Sequence, residues 1–274
     1  MFAKQFFIDK KILVYGLGLS GKSCLKYLSK KNKVEVFDDD KSLKNKKNKN
    51  FFININKILK TNFDYIVLSP GIDIKKCKLK KYLFKNEKKI ISELDIFYLN
   101  FPKNIKITIT GTNGKSTTCQ MLYNIFKSNK FDVRLVGNIG LSPLNEKKIK
   151  QKTIFIIEAS SYQINYSKFF KTDHAAILNL TADHLDRHGN INKYAKAKLK
   201  LIFDQNRNTN SYIEKNNSII NKNISKRKIL SKLNKLTFNK MVFFKKKIKN
   251  LYLLDKNNLN NIHFIYSICK KFNF

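Results

Sequence analysis

The sequence predicts two α/β domains in tandem, a Rossmann-like domain followed by a P-loop-type domain. Two observations carry that expectation. Short apolar runs alternate with polar, helix-length segments, the rhythm of buried parallel strands covered by helices. Two glycine-rich turns, at 16–21 and 111–114, each stand between such a run and a helical segment. A chain of 274 residues is long enough to bury two separate cores.

In order along the chain, KILVYG (11–16), KVEVFD (33–38), DYIVLS (64–69) and KIISE (89–93) read as buried strands of a parallel sheet. Ser20 to Lys30 reads as the helix that joins the first two. Residues 41–50, charged and without an apolar run, read as a solvated loop. Pro102, just ahead of a new strand, marks the predicted boundary between domains 1–102 and 103–274. The second domain opens with KITIT (106–110), a glycine loop and a helix running to Ser128. Strands follow at DVRLV (132–136), TIFIIE (153–158) and HAAILNL (174–180). An Ala- and Lys-rich helix covers 191–203. Beyond 210 short strands alternate with Asn/Lys loops, and a last helix runs over about 258–272.

Composition narrows the function classes. Lys+Arg number 56 against 19 Asp+Glu, a net charge of +37, which ordinarily suggests an anionic partner. Only four of those cations are arginine (Arg134, Arg187, Arg207, Arg227), whereas readers of bases and phosphates favour its bidentate fork. The lysines are spread along the chain among abundant Asn, Ile and Phe, residues with A/T-rich codons. Genome bias explains such a pattern, so neither nucleic acid nor a membrane is expected as partner. Cys24, Cys77, Cys119 and Cys269 form no C-x-x-C pair and read as free thiols. With no signal peptide or long apolar run in view, a cytoplasmic location is expected.

Gly16-Leu17-Gly18-Leu19-Ser20-Gly21 satisfies G-x-G-x-x-G between a strand and a helix. Its glycines permit a tight turn and close approach of a pyrophosphate to the helix start, and Asp38, ending the second strand, stands where an acid would meet a ribose. By itself the pattern fits a dinucleotide site or a structural turn. The second loop, Thr110-Gly111-Thr112-Asn113-Gly114-Lys115-Ser116-Thr117, is the stronger signal. Backbone N–H groups there can cradle phosphates, Lys115 can reach the terminal phosphate oxygens, and Ser116 can touch Mg²⁺. Ile109 stands where the strict phosphate-loop motif has its first glycine. A phosphate loop in the second domain argues against a nicotinamide dehydrogenase, which has no use for it.

At this point the sequence resembles the Mur ligase family, of the same superfamily as folylpolyglutamate synthetase. The T-G-T-N-G-K-S-T loop is followed in family order by Gly137–Gly140 (GNIG), Glu158–Gln163 (EASSYQ), Asn179–Gly189 (NLTADHLDRHG) and Tyr194–Lys198 (YAKAK). GLGLSG and Ser69-Pro70-Gly71-Ile72 make it similar to the D-glutamate-adding branch. The likeness covers nearly the whole chain and is weakest over about 205–255.

The resemblance implies an ATP- and Mg²⁺-dependent ligase of peptidoglycan precursor synthesis. ATP would phosphorylate the carboxylate of UDP-N-acetylmuramoyl-alanine, and the amine of D-glutamate would attack the acyl phosphate. Crowding phosphates against a carboxylate demands cations where charge develops. By resemblance, Gly111, Thr112, Asn113, Gly114, Lys115, Ser116 and Thr117 hold the ATP phosphates, while Ser116 and Glu158 hold the Mg²⁺ between them. His184 and Lys198, the latter matching a lysine that the family carries as a carbamate, serve a second Mg²⁺. A carbamate offers anionic oxygens where an ammonium would repel the ion. Lys115, His184 and Lys198 are thus the expected catalytic set, and Asn138 is expected near the reacting end of the substrate. In the first domain, Gly16, Gly18, Ser20 and Gly21 would cradle the UDP pyrophosphate, with Asp38, Ser69 and Gly71 near the uridine.

Two departures stand against this. The family's adenine-side G-x-H-N-x-x-N falls on residues 255–261, where Asn258 and Asn261 fit but Asp255 and Asn257 replace glycine and histidine. The family's third domain, which binds the incoming amino acid, has no counterpart in these residues and is expected either to be missing or to come as a separate partner. Rival readings are another Mur-type ligase and a non-catalytic nucleotide-binding remnant.

Overall fold

A computed structural model describes residues 6–225, 227–237 and 248–273. It forms two compact units. The first comprises the chain up to Pro102 together with Ser142–Lys147 and Tyr162–Phe170; the second holds Lys103–Leu141, Lys148–Ser161 and the chain from Lys171 on.

In the first unit β1 (Lys11–Tyr15), α1 (Leu19–Leu28), β2 (Lys33–Phe37), α2 (Ile55–Lys60), β3 (Tyr65–Leu68), α3 (Lys80–Lys85), β4 (Ile90–Ile91) and α4 (Glu93–Asn100) follow in order. The strands pair in parallel in the order β2-β1-β3-β4. Ile12, Leu13, Val14 and Tyr15 of β1 are fully buried, as a central strand covered on both faces requires. The predicted loop over 41–50 contains no strand but carries two 3₁₀ turns, Lys41–Leu43 and Lys49–Phe51.

Two predicted strands are cut short. HAAILNL, expected over 174–180, is a strand only over His174–Ile177, and the other stops for a local reason. KIISE was expected to run through Glu93, yet β4 ends at Ile91. Ser92 and Asp95 form a capping box there and start α4 instead. The first turn of α4 also explains why two later segments belong to this unit. Asp95 Oδ1 accepts the consecutive N–H groups of Lys168, Phe169 and Phe170 at 2.8, 2.6 and 2.8 Å. Glu93 accepts a hydrogen bond from the Ser142 hydroxyl.

The second unit contains β5 (Lys106–Thr110), α5 (Lys115–Ser128), β6 (Val133–Gly137), β7 (Ile154–Glu158), β8 (His174–Ile177), α7 (Leu185–His188), α8 (Ile191–Phe203), β9 (Asn210–Glu214), α9 (Ser218–Ile224), β10 (Lys232–Leu236) and α10 (Lys256–Cys269). The helix α6 (Ser161–Tyr166) begins in this unit and continues in the first. Six parallel strands run in the order β10-β9-β8-β5-β7-β6. The central strand β5 is buried along its whole length. Ile107, Leu122, Phe126, Ile156, Tyr212 and Phe264 share its core, each contributing roughly 1.5–3 kcal/mol by burial. No helix of the described residues is long and apolar enough to cross a membrane. All four cysteines are free, and Cys24, Cys119 and Cys269 are buried.

At the N-terminal end of β5, Lys106 is buried with its Nζ on the Asn104 carbonyl at 2.6 Å. Burial lowers its pKa from 10.5 to about 8, with Asp173 acting in the opposite sense. The folded value lies below the unfolded one, so ionisation weakens the fold fully below about pH 8, and the penalty fades as pH rises towards 10.5. Lys106→Met is expected to raise the unfolding free energy by on the order of 2 kcal/mol at pH 7. Denaturant titrations at several pH values check this: the gain must shrink towards pH 10, and a constant gain would contradict it.

Candidate functional site

All the predicted residues of the second unit's phosphate loop lie at the C-terminal edge of its sheet, where open parallel sheets bind ligands. β5 ends at Thr110, and Gly114 caps α5 in the left-handed region (φ 80°). That conformation and the crowding around it call for glycine: a Cβ on Gly114 would come within 2.4 Å of Asn261 Nδ2. Asn261 is buried on α10, and Asn258 lies one turn before it, also buried. Thus α10 brings one of the predicted adenine-side asparagines directly behind the phosphate loop.

The loop is held in shape by a residue to which sequence reasoning gave no role. Asn179, just past β8, accepts from the N–H groups of Thr112 (3.1 Å) and Asn113 (2.9 Å) through its Oδ1. Its Nδ2 donates back to the Asn113 carbonyl at 3.0 Å. The available signal was an Asn directly after a strand, at the head of N-L-T-A-D-H. Lys115, first residue of α5, donates from Nζ to the Thr112 carbonyl at 2.7 Å.

The residues proposed for a metal divide into two groups. Ser116 donates from Oγ to Glu158 Oε2 at 2.8 Å, and Asn138 donates from Nδ2 to Glu158 Oε1 at 2.9 Å. Glu158 is buried at the end of β7 and Asn138 follows β6, so two strand ends and a helix start converge on one carboxylate. A hydroxyl and a carboxylate beside a phosphate loop are the hard oxygen donors that suit Mg²⁺, with phosphate and water completing its shell. Among the described residues no group of three His, Cys, Asp or Glu side chains forms a metal cluster.

His184 and Lys198 lie about one aromatic ring, that of Tyr194. His184 takes a left-handed backbone (φ 52°), an uncommon choice for a non-glycine residue, and its Nε2 lies 3.4 Å from Asp183 Oδ2. Its ring centroid is 6.3 Å from that of Tyr194. Lys198 is 2% exposed on α8, with Nζ donating to the Gly111 carbonyl (2.8 Å) and Thr110 Oγ1 (3.3 Å), and lying 4.9 Å from the Tyr194 ring centre. Burial, reinforced by the charge of Lys115, lowers its pKa from 10.5 to about 7, against the pull of Asp183 and Glu158. An amine of that kind is substantially neutral near pH 7, the form able to take up CO₂ as a carbamate. Thr117 follows Ser116 in the first turn of α5.

In the first unit the glycine loop joins β1 to α1, and Gly18 occupies the N-cap with no side-chain cap. Gly16 (φ 94°) abuts Ser69, whose Oγ donates to the Gly16 carbonyl at 2.7 Å. A Cβ on Gly21 would lie 1.8 Å from the Gly16 carbonyl oxygen. Around Gly18 and Gly71, by contrast, an added Cβ would meet nothing within 4 Å. Asp38 supports the loop: its Oδ2 accepts from Leu17 N–H at 2.6 Å and its Oδ1 from Asp40 N–H at 2.9 Å. Ser20 supplies a hydrogen bond to the buried Glu93.

Residues 109–270 match the Mur ligase middle domain, and residues 10–92 match the Mur ligase MurD-like N-terminal domain. Among curated relatives, UDP-N-acetylmuramoylalanine–D-glutamate ligase of Rickettsia bellii is 38% identical over 204 residues, 72% of this chain and 44% of the relative. The enzyme of the same name from Elusimicrobium minutum is 39% identical over 219 residues, 74% of this chain and 47% of the relative. The matched stretch therefore spans less than half the length of these relatives. The solved structure of UDP-N-acetylmuramate:L-alanyl-gamma-D-glutamyl-meso-diaminopimelate ligase from Neisseria meningitides shares the fold. Its TM-score is 0.62 at 13% identity, over 97% of this chain and 94% of that one. With the middle-domain family matching more than half its length, this chain belongs to the Mur ligase family.

Proposed function

We propose that the chain carries the nucleotide-handling part of an ATP-dependent ligase that joins D-glutamate to UDP-N-acetylmuramoyl-alanine. The observation that carries the reading is the Ser116–Glu158–Asn138 arrangement beside the phosphate loop, which unites a phosphate cradle with an oxygen-rich cation seat. The names of the curated relatives supply the choice of D-glutamate. Residues up to 102 act as the UDP-substrate domain and residues from 103 as the ATP-binding domain.

In this reading the loop of residues 111–117 binds and orients the ATP phosphates through the N–H groups of residues 114–117, at the start of α5, and the ammonium of Lys115. The N–H groups of Thr112 and Asn113 stay on Asn179. Ser116 and Glu158 hold Mg²⁺, which when bound neutralises charge on the phosphate oxygens. His184 and a carbamate on Lys198 serve a second ion. Asn138 orients the substrate carboxylate that receives the phosphoryl group, giving the acyl phosphate that the D-glutamate amine then attacks. Asn258 and Asn261 border the nucleotide behind Gly114. In the first unit Gly16, Gly18, Ser20 and Gly21 cradle the diphosphate, with Asp38, Ser69 and Gly71 towards the uridine.

Calorimetric titration of the chain with Mg-ATP, UDP-N-acetylmuramoyl-alanine and NADH tests this. Binding of Mg-ATP and of the uridine nucleotide is expected, with NADH weaker than both. Tighter binding of NADH would overturn the assignment of the first unit, and no binding of Mg-ATP that of the second.

A further inference from the structure

Tyr194 has no role in the mechanism above, yet it is 1% exposed at the centre of the residues that do. Its hydroxyl lies 3.2 Å from Thr112 Oγ1 in the phosphate loop. Thr112 Oγ1 also donates to the Thr181 carbonyl at 3.3 Å and accepts from the Thr181 N–H at 3.1 Å. A threonine hydroxyl has one proton and two acceptor sites. With the proton given to Thr181 and one acceptor site filled by the Thr181 N–H, Tyr194 is the donor that fills the other. The Thr112 side chain is then fully committed behind the loop, to α8 and to the strand-end segment that leads to His184. The Tyr194 ring meets His184 and His188 edge-on, at centroid distances of 6.3 and 5.3 Å. His188 is in turn held by Ser161 Oγ at 3.0 Å.

We propose that Tyr194 is a positioning residue of the nucleotide site, its hydroxyl fixing the phosphate loop through Thr112. Thr112 accordingly acts as a strut of the loop, its hydroxyl held by Tyr194 and Thr181 and its N–H by Asn179. The proposal rests on the ATP reading for its functional consequence, and on the hydrogen-bond inventory alone for its structural one.

The test uses the full chain and the variants Tyr194→Phe, Thr112→Val, Thr112→Ser and the Phe/Val double variant. Tyr194→Phe keeps the ring and removes one net hydrogen bond, so Mg-ATP affinity is expected to fall about three- to tenfold. UDP affinity should not move. In the double variant the loss should stay near that of Thr112→Val alone, because the two groups act as one unit. Thr112→Ser, which keeps the hydroxyl, should lose less Mg-ATP affinity than Thr112→Val. Amide hydrogen exchange of the ligand-free chain reads the strut directly: Tyr194→Phe should speed exchange at residues 111–114 while the β5 core stays protected. Unchanged exchange in the loop, or fully additive losses of affinity, would overturn the proposal. Should the native chain ignore Mg-ATP, the function proposed above fails, and the exchange measurement still decides the role of Tyr194.

Discussion

Mg-ATP is expected to bind the Lys115→Ala chain at least about tenfold more weakly than the native chain, the size of one charge-assisted hydrogen bond of roughly 1.5–3 kcal/mol. Lys115 is the first residue of α5, and its Nζ rests on the Thr112 carbonyl at 2.7 Å, curled over the loop that would hold the phosphates. A phosphate entering the loop meets that amine and the helix N-terminus together. With 56 cations on the chain, diffuse attraction of ATP is the competing explanation. Lys152→Ala, at an exposed site outside the loop, serves as its control. Diffuse attraction is screened by salt and shared among many lysines, so it predicts equal small losses for both variants. Calorimetry at two salt concentrations separates the two, and equal losses would defeat the claim for Lys115.

The parts of this molecule that could be read from the sequence are those fixed by local physics. β1 and β7 are dense apolar runs suited to a covered parallel strand, β5 alternates Ile with Thr ahead of its glycine loop, and all three lie where the pattern put them. The two glycine loops were legible because a turn between strand and helix needs conformations that side chains obstruct. What escaped depends on partners distant in the chain. Asp95 holds N–H groups of residues 168–170, more than seventy positions away, and no periodicity announces it. Its local role was visible as S-E-L-D, a capping box that should have ended the strand at Ile91. Asn179 and Tyr194 lay inside motifs noted for their resemblance, but their work is to brace Thr112 and Asn113, 66 to 82 positions earlier. Asp38, expected at a ribose, also has a task that no motif reveals, since both its oxygens hold backbone N–H groups of the glycine loop and its neighbour.

The glycine loop of the first unit offers a sharper division of labour, because its glycines are not equivalent. A methyl on Gly21 would stand 1.8 Å from the Gly16 carbonyl oxygen, inside the closest approach of α1 to the loop. Neither group is the end of a flexible side chain, so the backbone itself must move. Gly21→Ala is therefore expected to cost about 3 kcal/mol or more of unfolding free energy, at or beyond the upper range for overpacking. Gly18 has an ordinary backbone (φ −65°) and nothing within 4 Å of an added Cβ, so the fold makes no demand for glycine there. Gly18→Ala should leave stability within about 0.5 kcal/mol of native. Yet Gly18 is the N-cap of α1, with no side chain over the first N–H groups, which leaves those donors open to an anion. If a diphosphate seats there, a methyl at Gly18 stands in its path, and UDP affinity should fall about tenfold, or 1.4 kcal/mol. Denaturant melts and UDP titrations of the two variants give the answer side by side. A stable Gly18→Ala chain that binds UDP as the native chain does would remove the diphosphate from this loop, whatever its family resemblance.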